Sequence, residues 1–214
     1  MEHVISGVAK FQEEVFPGKK ATFAKLANGQ SPEVLFITCA DSRIDPNLVT
    51  QTGPGDLFIC RNAGNIVPPH SNQTGGMTAS IEFAVAALGV SHIVVCGHTD
   101  CGAMKGALNP QGLDALPHVK EWLGHCRVAT EVVKERCGEL NHSHLDEVTR
   151  ENVVQQLQHL RTHPAVAAKI ATGQVKLHGW VYDIEKGEIL CFDEASQSFN
   201  PMDEVYAKQQ LASA

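Results

Sequence analysis

The sequence predicts an α/β fold: a central, mostly parallel β-sheet with an antiparallel edge strand, flanked by helices and preceded by an N-terminal helical arm. Three observations predict it. Short apolar runs recur at residues 34–37, 57–60 and 93–96, each rich in β-branched or aromatic side chains, as suits strands buried on both faces of a parallel sheet. Segments with helical spacing lie between and after them, an order characteristic of strand–helix–strand units. Near the C-terminus two further strand-like runs are joined by Glu185-Lys186-Gly187, which closes an antiparallel edge.

Taken in chain order, residues 1–30 form the arm. Val4, Val8, Phe11 and Val15, then Phe23 and Leu26, follow three- and four-residue steps, and Pro17-Gly18 is expected to break this amphipathic helix. The arm can pack on its own chain or on a neighbour. Pro32 precedes the first strand and Gly55-Asp56 the second. Residues 78–88 are Ala-rich with helical spacing and end at Gly89, a C-terminal capping glycine. Residues 116–137 and 145–160 read as two long helices, the second capped by Ser143. Pro164 opens another helix that stops at Gly173, and residues 175–182 and 188–192 form the closing strand pair.

The chain has 214 residues, 43% of them apolar and 19% charged, with no internal repeat and no Pro/Gly/Ser-rich linker, so residues 1–214 are expected to form a single domain. Net charge is −7 and the 17 basic residues are dispersed, which leaves no footprint for nucleic acid or an anionic membrane surface. The longest near-apolar stretch, residues 81–90, falls well short of the roughly 20 residues that span a bilayer. Glu2 and His3 stand where a signal peptide would carry positive charge, and a cytoplasmic location is expected. Seven cysteines, an odd number without an export signal, argue for reduced thiols and against a disulfide framework.

Each of the first three strands runs into a polar segment: Cys39-Ala40-Asp41-Ser42-Arg43, Arg61-Asn62-Ala63-Gly64-Asn65 and Gly97-His98-Thr99-Asp100-Cys101-Gly102. In open parallel sheets ligands bind beyond the carboxyl ends of the strands, so all three converge on one place. Cys39, His98 and Cys101 make a soft-to-borderline donor set that suits Zn²⁺ and leaves a fourth position for water or substrate. Inert buried cysteine is the plain reading of either thiol alone. Asp41 and Arg43 are spaced to form a bidentate pair beside such a metal, against the plain reading of a loop-stabilising ion pair. Among the other thiols, Cys60 and Cys96 read as core, and Cys126, Cys137 and Cys191 lack ligand spacing. His142 and His144 could hold an adventitious metal, against the plain reading of a solvated loop before a helix, and Asp100 reads as a helix N-terminal residue or a support behind the ligands.

The two motifs Cys39-Ala40-Asp41-Ser42-Arg43 and His98-Thr99-Asp100-Cys101-Gly102 resemble those of the β-class carbonic anhydrases. The resemblance extends over nearly the whole chain, through residues 55–65, 79–85 and 178–183, and is strongest toward cyanase-associated bacterial enzymes and the plant and cyanobacterial branch. It implies reversible, zinc-dependent hydration of CO₂ to bicarbonate and a proton. It assigns one Zn²⁺ per chain to Cys39, His98 and Cys101, and to Asp41 and Arg43 a catalytic dyad that orients the zinc-bound hydroxide attacking CO₂. Two thiolates neutralise Zn²⁺ formally, so activity is expected to climb toward alkaline pH. Gln30, Phe58 and Phe83 match pocket positions, Phe83 standing where relatives carry Tyr, and Gly102 is grouped with them. A regulatory bicarbonate site found in another branch is incomplete here: Arg61 and Tyr182 match, but Phe36 replaces its Trp. The expected site is therefore an open one. Relatives pair as homodimers that exchange N-terminal helices, and some assemble further into tetramers or octamers.

Two other readings compete. Hydrolysis of an isoelectronic substrate such as carbonyl sulfide or carbon disulfide keeps the same ligands and dyad and differs in pocket access. A non-catalytic zinc module closed by Asp41 is a different class, and it would strand the Arg43 guanidinium.

Overall fold

The computed structural model describes residues 1–206. Its sheet contains β1 (Val34–Cys39), β2 (Leu57–Asn62), β3 (His92–His98), β4 (Lys176–Asp183), β5 (Glu188–Asp193) and β6 (Ser198–Pro201), in the spatial order β2-β1-β3-β4-β5-β6. The first four are parallel, and β5 and β6 add an antiparallel edge. From β1 the chain moves to one side to build β2 and then returns to the other side to build β3. That reversal opens a crevice at the carboxyl ends of β1 and β3, where Cys39 and His98 are the last strand residues. Both strands run two residues past their apolar runs, and this carries the two side chains to the rim.

Helices cover one face of the sheet. Leu35, Ile37, Ile93 and Val95 pack there against Val153, Leu157 and Leu160 of a long helix, Leu145–Thr162, with Ile81, Val85 and Val166 completing the layer. Two glycines let that helix approach: a Cβ on Gly97 would lie 2.9 Å from Val153 Cγ2, and one on Gly179 3.0 Å from both Leu157 Cδ1 and Val153 Cγ1. On the opposite face Phe36, Ile44, Val94 and Cys96 form a smaller cluster, and Phe36 meets Trp180 edge-on at 5.9 Å. A third cluster of Ile66, Met104, Leu123, Cys126, Val133 and Val148 lies under Cys39 and Cys101.

The helices, in chain order, are α1 (Glu2–Lys10), α2 (Phe16–Leu26), α3 (Pro46–Thr50), α4 (Gly76–Glu82), α5 (Gly102–Leu108), α6 (Pro117–Trp122), α7 (Arg127–Cys137), α8 (Leu145–Thr162) and α9 (Pro164–Ala171). Three details differ from the sequence reading. The arm does not break at Pro17-Gly18. A π-helical turn over Phe11–Val15, closed by the Phe16 N–H on the Phe11 carbonyl, links α1 to α2 and leaves Pro17 in the first turn of α2, where a missing N–H is tolerated. The long helix expected over residues 116–137 is divided by a 3₁₀ turn at Leu123–Cys126, next to the point where Trp122 Nε1 donates to the Ala63 carbonyl at 2.9 Å. Before α8 the capping side chain is Asn141: its Oδ1 accepts from the Ser143 N–H at 2.9 Å and from the Ser143 hydroxyl at 2.6 Å, so Ser143 is a donor there. No helix among the described residues is long and apolar enough to cross a membrane.

Candidate metal centre and active site

Cys39, His98 and Cys101 converge as the spacing predicts, each offering a ligand atom within 4.8 Å of the others. Their sulfurs stand 3.9 Å apart, close to the separation of about 3.8 Å set by two Zn–S bonds of about 2.3 Å in a tetrahedral centre. His98 is fully buried; its Nδ1 bonds the Thr99 carbonyl at 2.8 Å, which puts the ring proton on Nδ1 and leaves Nε2 as a lone pair. That Nε2 is buried without a hydrogen-bond partner. A buried acceptor left unpaired is costly in a folded protein unless it has another use, and ligation provides one.

The thiols point to the same conclusion. Hydrogen bonding from the Cys101 thiol holds Cys39 well below an ordinary thiol, with further help from the Gly64 N–H, whose nitrogen lies 3.4 Å from the Cys39 sulfur. The adjacent Cys39 sulfur and burial push Cys101 the other way. Two thiolates at this distance repel each other unless a cation sits between them. The donor set, its spacing and the unpaired Nε2 all fit zinc.

Asp41 and Arg43 follow Cys39 on the turn out of β1. Arg43 donates from Nε to Oδ1 at 2.9 Å and from Nη2 to Oδ2 at 2.8 Å, and its backbone N–H reaches Oδ1 at 3.0 Å. These bonds, the side-chain ones from Arg43 above all, hold the Asp41 carboxyl far below the usual carboxylate range against the opposing effect of burial. Asp41 Oδ2 stands 3.8 Å from His98 Nε2, at the edge of the metal position.

The turn itself is fixed by Arg61, which donates to the backbone carbonyls of Cys39 at 3.0 Å, Asp41 at 2.7 Å and Ile44 at 2.9 Å. The loop after β2 is held from α8. Asn152 Nδ2 donates to the Gly64 carbonyl at 3.0 Å, Gln156 Nε2 donates to Asn152 Oδ1 at 2.9 Å, and Gln156 Oε1 accepts from the Val67 N–H at 2.8 Å. Gly64 has φ 85°, and a Cβ there would lie 3.0 Å from Met104 Cε, so glycine alone fits where its N–H meets the Cys39 sulfur.

Sequence reasoning did not find the supporting roles of Arg61, Asn152 and Gln156. The signal was present in α8, where Asn152 and Gln156 stand four residues apart inside the stripe Val148, Val153, Leu157 and Leu160. Phe58 and Phe83 pack together at 6.1 Å on the helix-covered face, Phe83 being 48% exposed, and Gln30 lines a separate groove of about 700 Å³ with Leu26 and Asp56. Gly102 opens α5 directly after Cys101.

A parallel sheet that presents two cysteines and a histidine at its switch point defines a metalloprotein with a three-ligand, zinc-type centre. A family model described as Carbonic anhydrase matches residues 34–189. Carbonic anhydrase 1 of Escherichia coli O157:H7 is 50% identical over 202 residues, covering 94% of this chain and 92% of its own, and a carbonic anhydrase of Pseudomonas aeruginosa is 48% identical over 199 residues, covering 93% and 90%. The solved structure of the β-carbonic anhydrase CcaA superposes with a TM-score of 0.90 at 42% identity, covering 94% of this chain and 98% of that one. The chain belongs to the carbonic anhydrase family, in its β class, and is an enzyme of CO₂ hydration.

Proposed function

We propose that this chain hydrates CO₂ reversibly to bicarbonate and a proton at a centre holding one zinc per chain on Cys39, His98 and Cys101, with Asp41 and Arg43 as the working dyad. Zinc bound there would supply Lewis acidity that lowers the pKa of water far below its bulk value, and the two thiolates temper this so that activity climbs toward alkaline pH. The protein supplies the orientation. Asp41, kept ionised by Arg43, is acceptor-only; it takes a hydrogen bond from the O–H of the nucleophile and so turns the oxygen lone pair toward the carbon of CO₂. Arg43 keeps the carboxylate from rotating, Arg61 fixes the turn that carries both, and the Gly64 N–H stabilises negative charge on the Cys39 sulfur.

The observation that carries this reading is the two-point grip of Arg43 on Asp41, which occupies both carboxylate oxygens and favours an open centre over one closed by Asp41. The test is stopped-flow CO₂ hydration by Arg43→Ala with zinc content measured alongside. Activity lost with zinc retained supports the dyad; unchanged activity removes it.

The pocket assignment of Gln30, Phe58, Phe83 and Gly102 belongs to a dimer in this reading, because Gln30 and Phe83 are exposed in the single chain. The arm supports the same view: Val4, Ile5, Val8, Phe11 and Val15 are all exposed, and α1 and α2 bury no residue. Exchange of this arm with a second copy would cover it, and higher assembly is open to the chain, as in the tetrameric β-carbonic anhydrases of Sordaria macrospora. A cytoplasmic location, serving carbon utilisation, accords with seven unpaired cysteines, two of which must remain reduced to bind metal.

A further inference from the structure

The corner between α7 and α8 brings together three side chains that the carbonic anhydrase site does not use. α7 ends at Cys137, Gly138 reverses the chain with φ 82°, and a 3₁₀ turn over His142–His144 leads into α8, whose first turn carries Glu147. Cys137 Sγ, a ring nitrogen of His144 and a carboxylate oxygen of Glu147 all lie within 4.8 Å of one another. His144 is seven positions after Cys137 and Glu147 three after His144, and the fold of the corner makes this grouping. We propose that Cys137, His144 and Glu147 form a second metal site, for a borderline divalent cation of the zinc class, that fastens the end of α7 to the start of α8.

The donor set is thiolate, imidazole and carboxylate, the ligand types zinc accepts, with the fourth position open to water. Tetrahedral bonds of about 2.0–2.3 Å place ligand atoms about 3.3–3.8 Å apart, so side-chain rotations of about 1 Å close the site. Cys137 and Glu147 are exposed and His144 half-buried, and none of the three makes an ion pair among the described residues. Arg136, next to Cys137 on α7, is held by Glu151 at 2.9 Å.

His144 sets the cost. Its Nδ1 accepts from the Asn141 N–H at 3.2 Å, so the neutral ring carries its proton on Nε2. Ligation through Nε2 moves that proton to Nδ1 and opens the Asn141 contact; ligation through Nδ1 replaces the contact directly. In both cases the metal and the Asn141 amide compete for one imidazole. Binding therefore displaces the proton of the Cys137 thiol to solvent and frees the Asn141 N–H.

The test uses the protein already loaded with one equivalent of zinc, titrated with Co²⁺ under reducing conditions. A second equivalent binds with a sulfur-to-cobalt charge-transfer band, while the Asn141 amide exchanges faster. Cys137→Ser abolishes the band, His144→Ala and Glu147→Gln weaken binding about tenfold or more, and His142→Ala leaves it unchanged. CO₂ hydration stays intact in Cys137→Ser, which shows that the variant is folded. Uptake of a single metal per chain, or a second equivalent whose band survives Cys137→Ser, overturns the site.

Discussion

Arg43 donates from Nη1 to Asp100 Oδ2 at 2.9 Å and from Nη2 to the Asp100 backbone carbonyl at 3.1 Å. The edge of the guanidinium turned away from Asp41 is thus tied to the residue that precedes Cys101. Asp100 adopts φ 56°, in the left-handed region, and Lys105 pairs with its other carboxylate oxygen. The dyad and the metal ligands are joined through one aspartate.

Asp100→Ala removes one of the two contacts and keeps the carbonyl. Its effect is expected to fall short of the roughly 100-fold that an ångström-scale misplacement costs, at about 10-fold in kcat, with zinc content unchanged. Stopped-flow rates on metal-quantified protein decide it. Full activity would leave Asp100 as a mere surface partner of Lys105.

Asn152 connects α8 to the loop that supplies the Gly64 N–H. In Asn152→Ala the buried Gly64 carbonyl and Gln156 Nε2 both lose a partner, at a cost of about 1–3 kcal/mol each where water cannot replace it. Zinc affinity should drop about tenfold, because a donor to the Cys39 sulfur loses its support. Competition with a chromophoric chelator measures this. An unaltered affinity beside a lowered unfolding free energy would make the Asn152–Gln156 pair purely structural.

His178 lies between His92 Nδ1 and the Tyr206 hydroxyl, each at 2.9 Å, and Trp180 Nε1 donates to that hydroxyl at 2.9 Å. With the indole donating to its oxygen, the Tyr206 hydroxyl donates a hydrogen bond to His178 Nδ1, and His178 donates from Nε2–H to His92 Nδ1. Neutral His178 is fully satisfied. Burial, reinforced by His92 and Lys176, lowers its pKa from 6.5 to about 4. The unfolded chain therefore binds the proton that the folded chain refuses. This stabilisation is complete above about pH 6.5 and fades as pH falls toward about 4, by about 2 kcal/mol between pH 7.5 and 5. Urea unfolding of wild type and His178→Phe at both pH values tests it. Zinc release affects both proteins, so the variant should lose less stability than wild type over this range, and equal losses would refute the assignment.

The parts of this molecule legible in sequence are those where one residue type has one physical use. Runs such as residues 34–37 are too short and too β-branched for helix, and Cys39, His98 and Cys101 sit at strand ends where a parallel sheet places its ligands. Pro17 misled because a π-helical turn absorbs a proline that an α-helical register would not. Asn152 and Gln156 leave only a weak sequence signal, two amides inside an apolar stripe, because the loop 88 residues earlier that supplies the partner of Asn152 is brought there by the fold. Cys137, His144 and Glu147 stayed apart for the same reason: their proximity depends on the turn at Gly138, which no spacing rule contains.

The arm gives the last test. Phe11 meets Phe16 at 6.0 Å and Phe23 at 6.1 Å, so these rings brace one another, while Val4, Ile5 and Val8 of the preceding helix remain uncovered. Burying an apolar side chain of this size contributes about 1.5–3 kcal/mol, so Ile5→Asp with Val8→Asp should weaken self-association by about a hundredfold or more in Kd. Sedimentation equilibrium should show a dimer for the wild type and monomers for the double variant. Zinc content should hold at one per chain, because all three ligands come from a single chain. CO₂ hydration should fall with the dimer fraction if Gln30 and Phe83 serve the pocket of the opposite copy. An undiminished dimer would mean that the arm folds back on its own chain, and full activity in the monomer would return the pocket to residues of one chain.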